Sequence, residues 1–529
     1  MTTEQARPTE PRSAVSVDNG IDPAVYEKRW IILAVLCLSL VLVVVGNSSL
    51  NVALPTLQKD LGASSTQLQW IVDAYSIVFA GLLLPAGALG DRFGRKGALQ
   101  FGLVVVGLAS LLSTFANSPN QLIATRAAMG VGAAFVMPAT LSILANVFPA
   151  GERARAIAIW AGFAGAGAAI GPVLSGFLLE HFWWGSVFLV NVPIVIGALV
   201  AGAILLPTSK DPNHGRLDPV GALFSVIALA SLLYAIIEAP VKGWGSVSTI
   251  IGFVLFAAFA VAFVQWERRS SAPMLPMELF RNRRFSVGAA TITLTFFCMF
   301  GLFFVLTQYL QFVLGFTPFK AGLATLPLAA MLIIFAPRSA GFVVRWGQAR
   351  VQAFGLTMVA IGLLVMAALT PSSSYGWVAL ALVVIGIGMA CTTAPATSAI
   401  VTSVPLSKAG VGSAVNDTTR EVGGALGIAV LGSLVASGYR SAMASHVAGL
   451  PAGSAAIAKD SIGGAFNVAK VAGPLGDQLN AAASAAFTDS MSTALIAAAA
   501  VALAAAAMVL KFFPRTPQEL STEPVELND

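Results

Sequence analysis

Apolar residues in this chain come in runs of about twenty, the length that crosses the hydrocarbon core of a bilayer as a helix. Fourteen such runs lie at 31–52, 68–89, 98–116, 121–146, 155–179, 184–206, 218–238, 247–265, 286–312, 321–344, 351–369, 375–401, 411–436 and 488–511. Shorter polar stretches with turn-forming residues separate them. The pattern predicts an all-α polytopic membrane protein with fourteen transmembrane helices. Residues 1–29 are polar and rich in Pro, Thr, Glu and Arg, which reads as a disordered tail. The run after Trp30 has no small-residue cleavage site, so it is read as a first span and not a signal peptide. The longest connection, 437–487, is rich in small residues and weakly charged.

Composition sharpens this picture. Hydrophobic residues make up 57% of the chain, charged residues 10%, and mean hydropathy is +0.84. A soluble domain carries about 25% charged residues. The net charge of +6 does not point to nucleic acid, because the cations are scattered among many short loops. With the N-terminus placed in the cytoplasm, 21 of the 30 Lys and Arg fall on the inner side and six on the outer side. Arg126, Arg338 and Arg420 remain inside spans. This asymmetry predicts two cytoplasmic termini and an even number of spans. The inner segment 267–285 mixes cations with Met, Leu and Phe, and fits a stretch lying on the anionic leaflet as well as it fits an ordinary connector. Cys37, Cys298 and Cys391 stand singly in apolar runs, and His181, His214 and His446 share no catalytic or metal spacing with other residues. There is no Walker sequence. The expectation is therefore no enzyme, no metal and no cofactor.

The chain partly repeats itself. "GVGAAFVMPATLSILANVFP" (130–149) resembles "GIGMACTTAPATSAIVTSVP" (386–405), and "LGDRFGRK" (89–96) more loosely resembles "VVRWGQAR" (343–350). Both pairs are offset by eight spans. Two six-span halves with two spans inserted between them produce that offset, and parallel six-span repeats are a secondary-transporter architecture. The expected domains are a tail at 1–29, a first bundle at 30–206, two inserted spans with their loops at 207–285, a second bundle at 286–511 and a tail at 512–529.

"GALGDRFGRK" (87–96) is the most specific string. An acid, Asp91, stands among the cations Arg92, Arg95 and Lys96, with Gly87 and Gly94 beside them. The string closely resembles the loop signature of the major facilitator superfamily. The resemblance implies a latch that holds one bundle to the other in one conformation and releases it in another. "LIATRAAMGVGAA" (122–134) resembles the superfamily's fourth-span motif around a buried cation, Arg126, although Met129 stands where a glutamine is usual. "GAAIGPVLSG" (167–176) resembles the fifth-span motif of antiporters, with Gly167, Gly171, Pro172 and Gly176 in its fixed places. "WGSVFLVNVP" (184–193) and "QYLQFVLGFTPFKAGLATLP" (308–327) resemble strings of the fourteen-span drug:proton antiporter branch. Many members of that branch carry an acid in span 1. Here Gly46 and Asn51 occupy those places.

Acids within spans are few: Asp73, Glu238, Asp417 and Glu421. An ionisable residue inside a membrane is a functional candidate by default. "WIVDAYS" (70–76) closely resembles the span-2 stretch of quaternary-ammonium exporters. Asp73 and Arg126 are expected at similar depth, as a switchable pair that couples proton entry to drug release or as a permanent salt bridge. Asp417 and Glu421 are four apart and share a helix face, with Arg420 beside them. They are read as proton or substrate coupling groups, with Glu421 the deeper; structural pairing of Glu421 with Arg420 or Arg338 is the alternative. Glu238 is expected at an interface, and Arg338 receives no role. The expectation is a multi-pass monomer of a bacterial inner membrane, whose partners are small amphiphilic substrates and the lipid bilayer. The resemblance implies proton-driven export of lipophilic, mostly cationic compounds. Export of a lipid or endogenous metabolite is the alternative on the same fold, and a non-transporting scaffold or sensor the third.

Overall fold

The structure is a computed structural model. It describes residues 21–514, apart from 62, 64, 211–217, 271–272, 448–449, 472 and 474–475. Most of the expected N-terminal tail, His214 and the chain after 514 lie outside the described residues. Among the described residues, fourteen helices are long and apolar enough to span a membrane. They are α1 (Pro23–Ser48), α2 (Trp70–Phe93), α3 (Arg95–Thr114), α4 (Pro119–Val147), α5 (Ala150–His181), α6 (Ser186–Leu205) and α7 (Pro219–Ala239). The remainder are α8 (Val247–Glu267), α9 (Arg283–Val313), α10 (Phe319–Trp346), α11 (Gln348–Ala367), α12 (Tyr375–Thr402), α13 (Leu406–Met443) and α14 (Gly476–Phe512).

The first helix differs from its expected limits of 31–52. It starts at Pro23, inside the expected tail, because Asp22 caps it by accepting from the Ala24 amide at 2.8 Å and Pro23 is preset for the first turn. Polar residues at a membrane helix end are no reason to stop the helix, since that end lies outside the hydrocarbon. Arg29, in the second turn, reaches Glu152 of α5 at 2.7 Å. The helix ends at Ser48, and a separate helix, Leu50–Leu61, follows.

Consecutive spans run antiparallel, so the α2–α3 loop, the α4–α5 loop and the start of α13 share one end of the bundle, hereafter the latch end. Gly94 and Gly347 occupy matching places in the two halves. Each has a left-handed backbone, with φ of 119° and 81°, and each caps the helix that follows. Only glycine adopts that conformation without strain.

At the latch end the two halves share one apolar core. Phe285 and Ile292 of α9, Ile400 of α12 and Val411 and Val415 of α13 pack into the same cluster as Leu99, Ile143 and Phe148 of the first half. Further from that end the second half keeps a core of its own, from Cys298 and Leu302 to Leu431 and Leu495. The inserted helices α7 and α8 pair with each other, Gly252 lying against Ala235. Helix α7 also reaches α2, where Trp70 and Tyr234 have ring centroids 6.2 Å apart.

The segment 267–285 is part surface and part core: Arg268, Arg269, Phe280, Arg281 and Arg283 are exposed. Met274, Leu275 and Leu279 are buried in the shared core, and Glu267 accepts from the Leu275 amide at 3.1 Å. At the opposite end, connection 437–487 folds into short helices Ala452–Asp460 and Ile462–Ala469. They are anchored where Tyr439 donates to the Ala458 carbonyl at 3.1 Å and Phe466 meets Phe312.

Candidate functional site

The loop 87–96 meets the second half at the start of α13. Asp91, 4% exposed, accepts from the backbone amides of Gly410 at 2.8 Å and Val411 at 3.2 Å. Those amides belong to the first turn of the α-helical part of α13, Ala409–Met443, whose unpaired N–H groups and helix dipole favour a carboxylate. Arg95 completes the arrangement from the other side. Its Nε donates to Asp91 at 2.7 Å, and its Nη2 donates to the carbonyls of Leu406 at 2.7 Å and Ser407 at 2.9 Å. Ser142 of α4 donates to the same carboxylate at 3.4 Å.

Close approach of the backbones makes this possible. A methyl group at Gly87 would stand 2.6 Å from the Gly410 carbonyl oxygen, and one at Gly410 would stand 2.8 Å from the Asp91 carboxyl carbon. The other loop residues act locally. Lys96 donates to the carbonyls of Ala203 and Leu206 in the first half, Gly94 makes the turn, and Arg92 lies beside the Phe93 ring. Gly410 is a working partner that no motif flagged, because its role depends on a helix more than three hundred residues away.

The α5 glycines pack on one side against α1 of their own half and on the other against α10 of the second half. Gly167 faces Val44 of α1, Gly176 faces Phe319 at the start of α10, and Gly171 accepts from the Ser49 hydroxyl at 3.2 Å. The stripe continues past the motif, where Gly162 and Gly165 lie against Leu332 of α10. A side chain at Gly171 would collide with Ser48, whereas Gly197 of α6 has open space around it. Overpacking a tight contact costs about 1–3 kcal/mol or more. Gly171→Val is therefore expected to lower both membrane yield and melting temperature, and Gly197→Val to leave both unchanged, as read by fluorescence size-exclusion chromatography after heating.

The intramembrane cations sit differently from the expected pairs. Arg126 is fully buried, and its Nε donates to the Ile71 carbonyl at 3.1 Å, two residues before Asp73. Its other nitrogens reach the Gly46 carbonyl at 3.4 Å and Asn47 Oδ1 at 3.3 Å, and Tyr75 covers it with its ring centroid 4.4 Å away. Ion pairs form at Arg29–Glu152, Arg95–Asp91, Lys242–Glu238 and Arg420–Asp417. Neutral acceptors of α1, around the position of the missing acid, meet the Arg126 N–H groups. The side chain of Asn51 lies outside the described ones.

Arg420 pairs with Asp417 at 3.7 Å and not with Glu421. Its guanidinium lies over the rings of Phe296 and Trp160, 4.6 and 5.8 Å from their centroids. Asp417 is buried and accepts one bond from Asn416 at 3.1 Å, and Asn416 is in turn held by the Thr397 hydroxyl. Glu421 is half-buried and makes no hydrogen bond or ion pair with a described residue. Arg338 is exposed and donates to the Ile334 carbonyl of its own helix, so it does not pair with Glu421. Glu238 is buried beside Lys242 at 2.8 Å. At about 1.5 Å per residue, Arg420 lies roughly 21 Å from the start of α13 and about 14 Å into the apolar run that begins at Val411, near mid-depth. Trp160 and Phe296 are at comparable depth on α5 and α9. Neither ring was legible as a site residue, since an aromatic in an apolar run carries no signal of its own.

Known proteins agree with this architecture. The family model described as Major Facilitator Superfamily matches residues 36–428. The multidrug efflux pump LfrA of Mycolicibacterium smegmatis is 38% identical over 490 residues, covering 92% of this chain and 97% of that protein. The methyl viologen resistance protein SmvA of Salmonella typhimurium is 36% identical over 480 residues, covering 90% of this chain and 96% of that protein. The crystal structure of a human organic anion transporter superposes with a TM-score of 0.60 at 16% identity, over 91% of this chain and all of the other.

Proposed function

The chain belongs to the major facilitator superfamily, and we propose that it exports lipophilic, mostly cationic compounds in exchange for protons. The observation that carries this reading is the cluster of Asp417, Arg420 and Glu421, held near mid-depth on a span that meets the first half at the latch. Carboxylates placed there are costly unless they have work to do. Relatives named for multidrug efflux and for methyl viologen resistance support the same substrate class, methyl viologen being an organic dication.

The work divides among the parts. Asp91, Arg95 and Gly87 close the latch end, which faces the cytoplasm if both termini do, in a bacterial inner membrane. The α5 glycines let α5 slide against α1 and α10 as the halves rock. Glu421 and Asp73 are the carboxylates assigned to proton and substrate exchange, with Arg126 and Arg420 as the cations that bias them. A proton entering down a membrane potential of 100 mV contributes about 2.3 kcal/mol per net charge moved.

Ethidium efflux from energised cells, with and without a protonophore, tests the reading. Wild-type efflux is expected to stop when the protonophore is added, and Asp73→Asn is expected to reduce it at least fivefold. Efflux that survives collapse of the proton gradient removes the antiport. Absence of efflux for any cationic dye turns the reading toward a lipid or endogenous metabolite as cargo.

A further inference from the structure

Arg420 is held in an unusual way for an arginine. None of its N–H groups makes a hydrogen bond to a described residue, and its partners are two ring faces and one carboxylate oxygen 3.7 Å away. The second oxygen of that carboxylate, Asp417 Oδ2, is buried with no hydrogen-bond partner among the described residues. A guanidinium ordinarily engages a carboxylate through two parallel N–H bonds, which is where its advantage over other cations lies. Here it serves only as a positive charge between aromatic rings. Those are the interactions that hold quaternary ammonium groups, which have no N–H to donate.

The walls are fixed independently of the occupant. Trp160 is fully buried and its indole N–H donates to Thr140 Oγ1 at 3.2 Å. Phe296 is set edge-on against Phe300, with centroids 5.8 Å apart. Trp160 belongs to the first half, and Phe296, Asp417 and Arg420 to the second. Any rocking of the halves therefore opens the space that Arg420 fills.

We propose that Trp160, Phe296 and Asp417 form the recognition site for the charged centre of an organic cation lacking N–H groups, and that Arg420 is its built-in occupant while the latch end is closed. This deepens the export reading above and rests on it. The site discriminates by what it does not offer. A primary ammonium would bring three donors to one carboxylate and two rings, leaving donors unmet, whereas a quaternary or pyridinium centre brings none. Arg420 returning to the rings displaces the bound cation, so release is coupled to closure without a second ligand.

The test is calorimetric binding of tetraphenylphosphonium to the full chain in lipid nanodiscs, with efflux measured in parallel. Trp160→Leu is expected to weaken binding about tenfold, and Trp160→Phe, which keeps a ring, by no more than about threefold. Arg420→Gln removes the competitor and is expected to tighten binding about tenfold. A primary alkylammonium of similar size is expected to bind more weakly than tetraphenylphosphonium to the wild type. Equal binding by wild type and a folded Trp160→Leu overturns the assignment, as does unchanged or weaker binding by Arg420→Gln. The second measurement decides the matter if the leucine variant fails to fold. If the wild type still exports cations in either failing case, only the site is wrong. If it neither binds nor exports them, the export reading falls with it.

Discussion

Asp91→Asn is expected to reduce efflux at least tenfold while leaving the protein folded and in the membrane. The substitution keeps the shape of the side chain and removes its charge. Asp91 is buried and serves three groups together: the Arg95 guanidinium, the amides of Gly410 and Val411, and the Ser142 hydroxyl. An asparagine has one acceptor oxygen and two donors. It cannot meet both backbone amides and Arg95, and its NH2 must face at least one of those donors. Removing one partner of a buried, hydrogen-bonded ion pair costs about 3–5 kcal/mol, because the other charge stays buried and uncompensated. A penalty of that size falls only on the conformation in which the latch is closed. At about 1.4 kcal/mol per factor of ten, it shifts the equilibrium toward the open latch by about two to three and a half orders of magnitude. The corresponding observation is increased labelling by a membrane-impermeant thiol reagent, applied from the side that the latch end faces to a cysteine placed at Ser407. A variant with normal efflux and unchanged labelling would show that the shared apolar core closes this end unaided.

Glu421→Gln is expected to abolish the protonophore-sensitive part of efflux while binding of a cation to the purified protein stays within about threefold. The contrast with Asp417 explains the choice. Asp417 is committed to Arg420 and Asn416, so its replacement disturbs packing as well as charge. Glu421 is half-buried near mid-depth and pairs with no described residue. Its charge is not spent on holding the bundle together, and glutamine matches its size. A loss of transport with intact binding therefore reports a lost proton acceptor and not a lost fold. Proton movement on adding substrate to proteoliposomes, read with an internal pH dye, should disappear in the same variant. If both signals persist, the proton is carried elsewhere, and Asp73 becomes the first residue to replace.

Much of this could be read from the order of residues, for a physical reason. A helix in lipid must satisfy all its backbone groups internally, so a span announces itself as a continuous apolar run. That is why fourteen runs and fourteen helices correspond, with errors confined to the ends. The end of α1 nearest Pro23 was missed because cap residues, and not hydrophobicity, decide where a helix begins. The segment 267–285 was undecided because burial of Leu275 and Leu279 depends on what they meet, and their composition suits either a lipid or a protein surface.

The seam is where sequence reading stopped. Asp91 and Arg95 were visible as an acid among cations, but their partners are amides and carbonyls of α13, which carry no signature in the sequence. Arg126 was visible as a charge in a span, and an acid was the natural partner to seek. Backbone carbonyls of α1 and α2 and the face of Tyr75 meet it. Arg420 was visible too, but its rings, Trp160 and Phe296, lie about 260 and 124 positions away on other helices. The sequence by itself determined the membrane class, the number of spans, the repeat and the residue types that carry charge into the bilayer, since each follows from local hydrophobicity or local spacing. Which charge faces which partner was decided by tertiary structure alone, because helices separated by hundreds of residues meet only when the two halves close on each other.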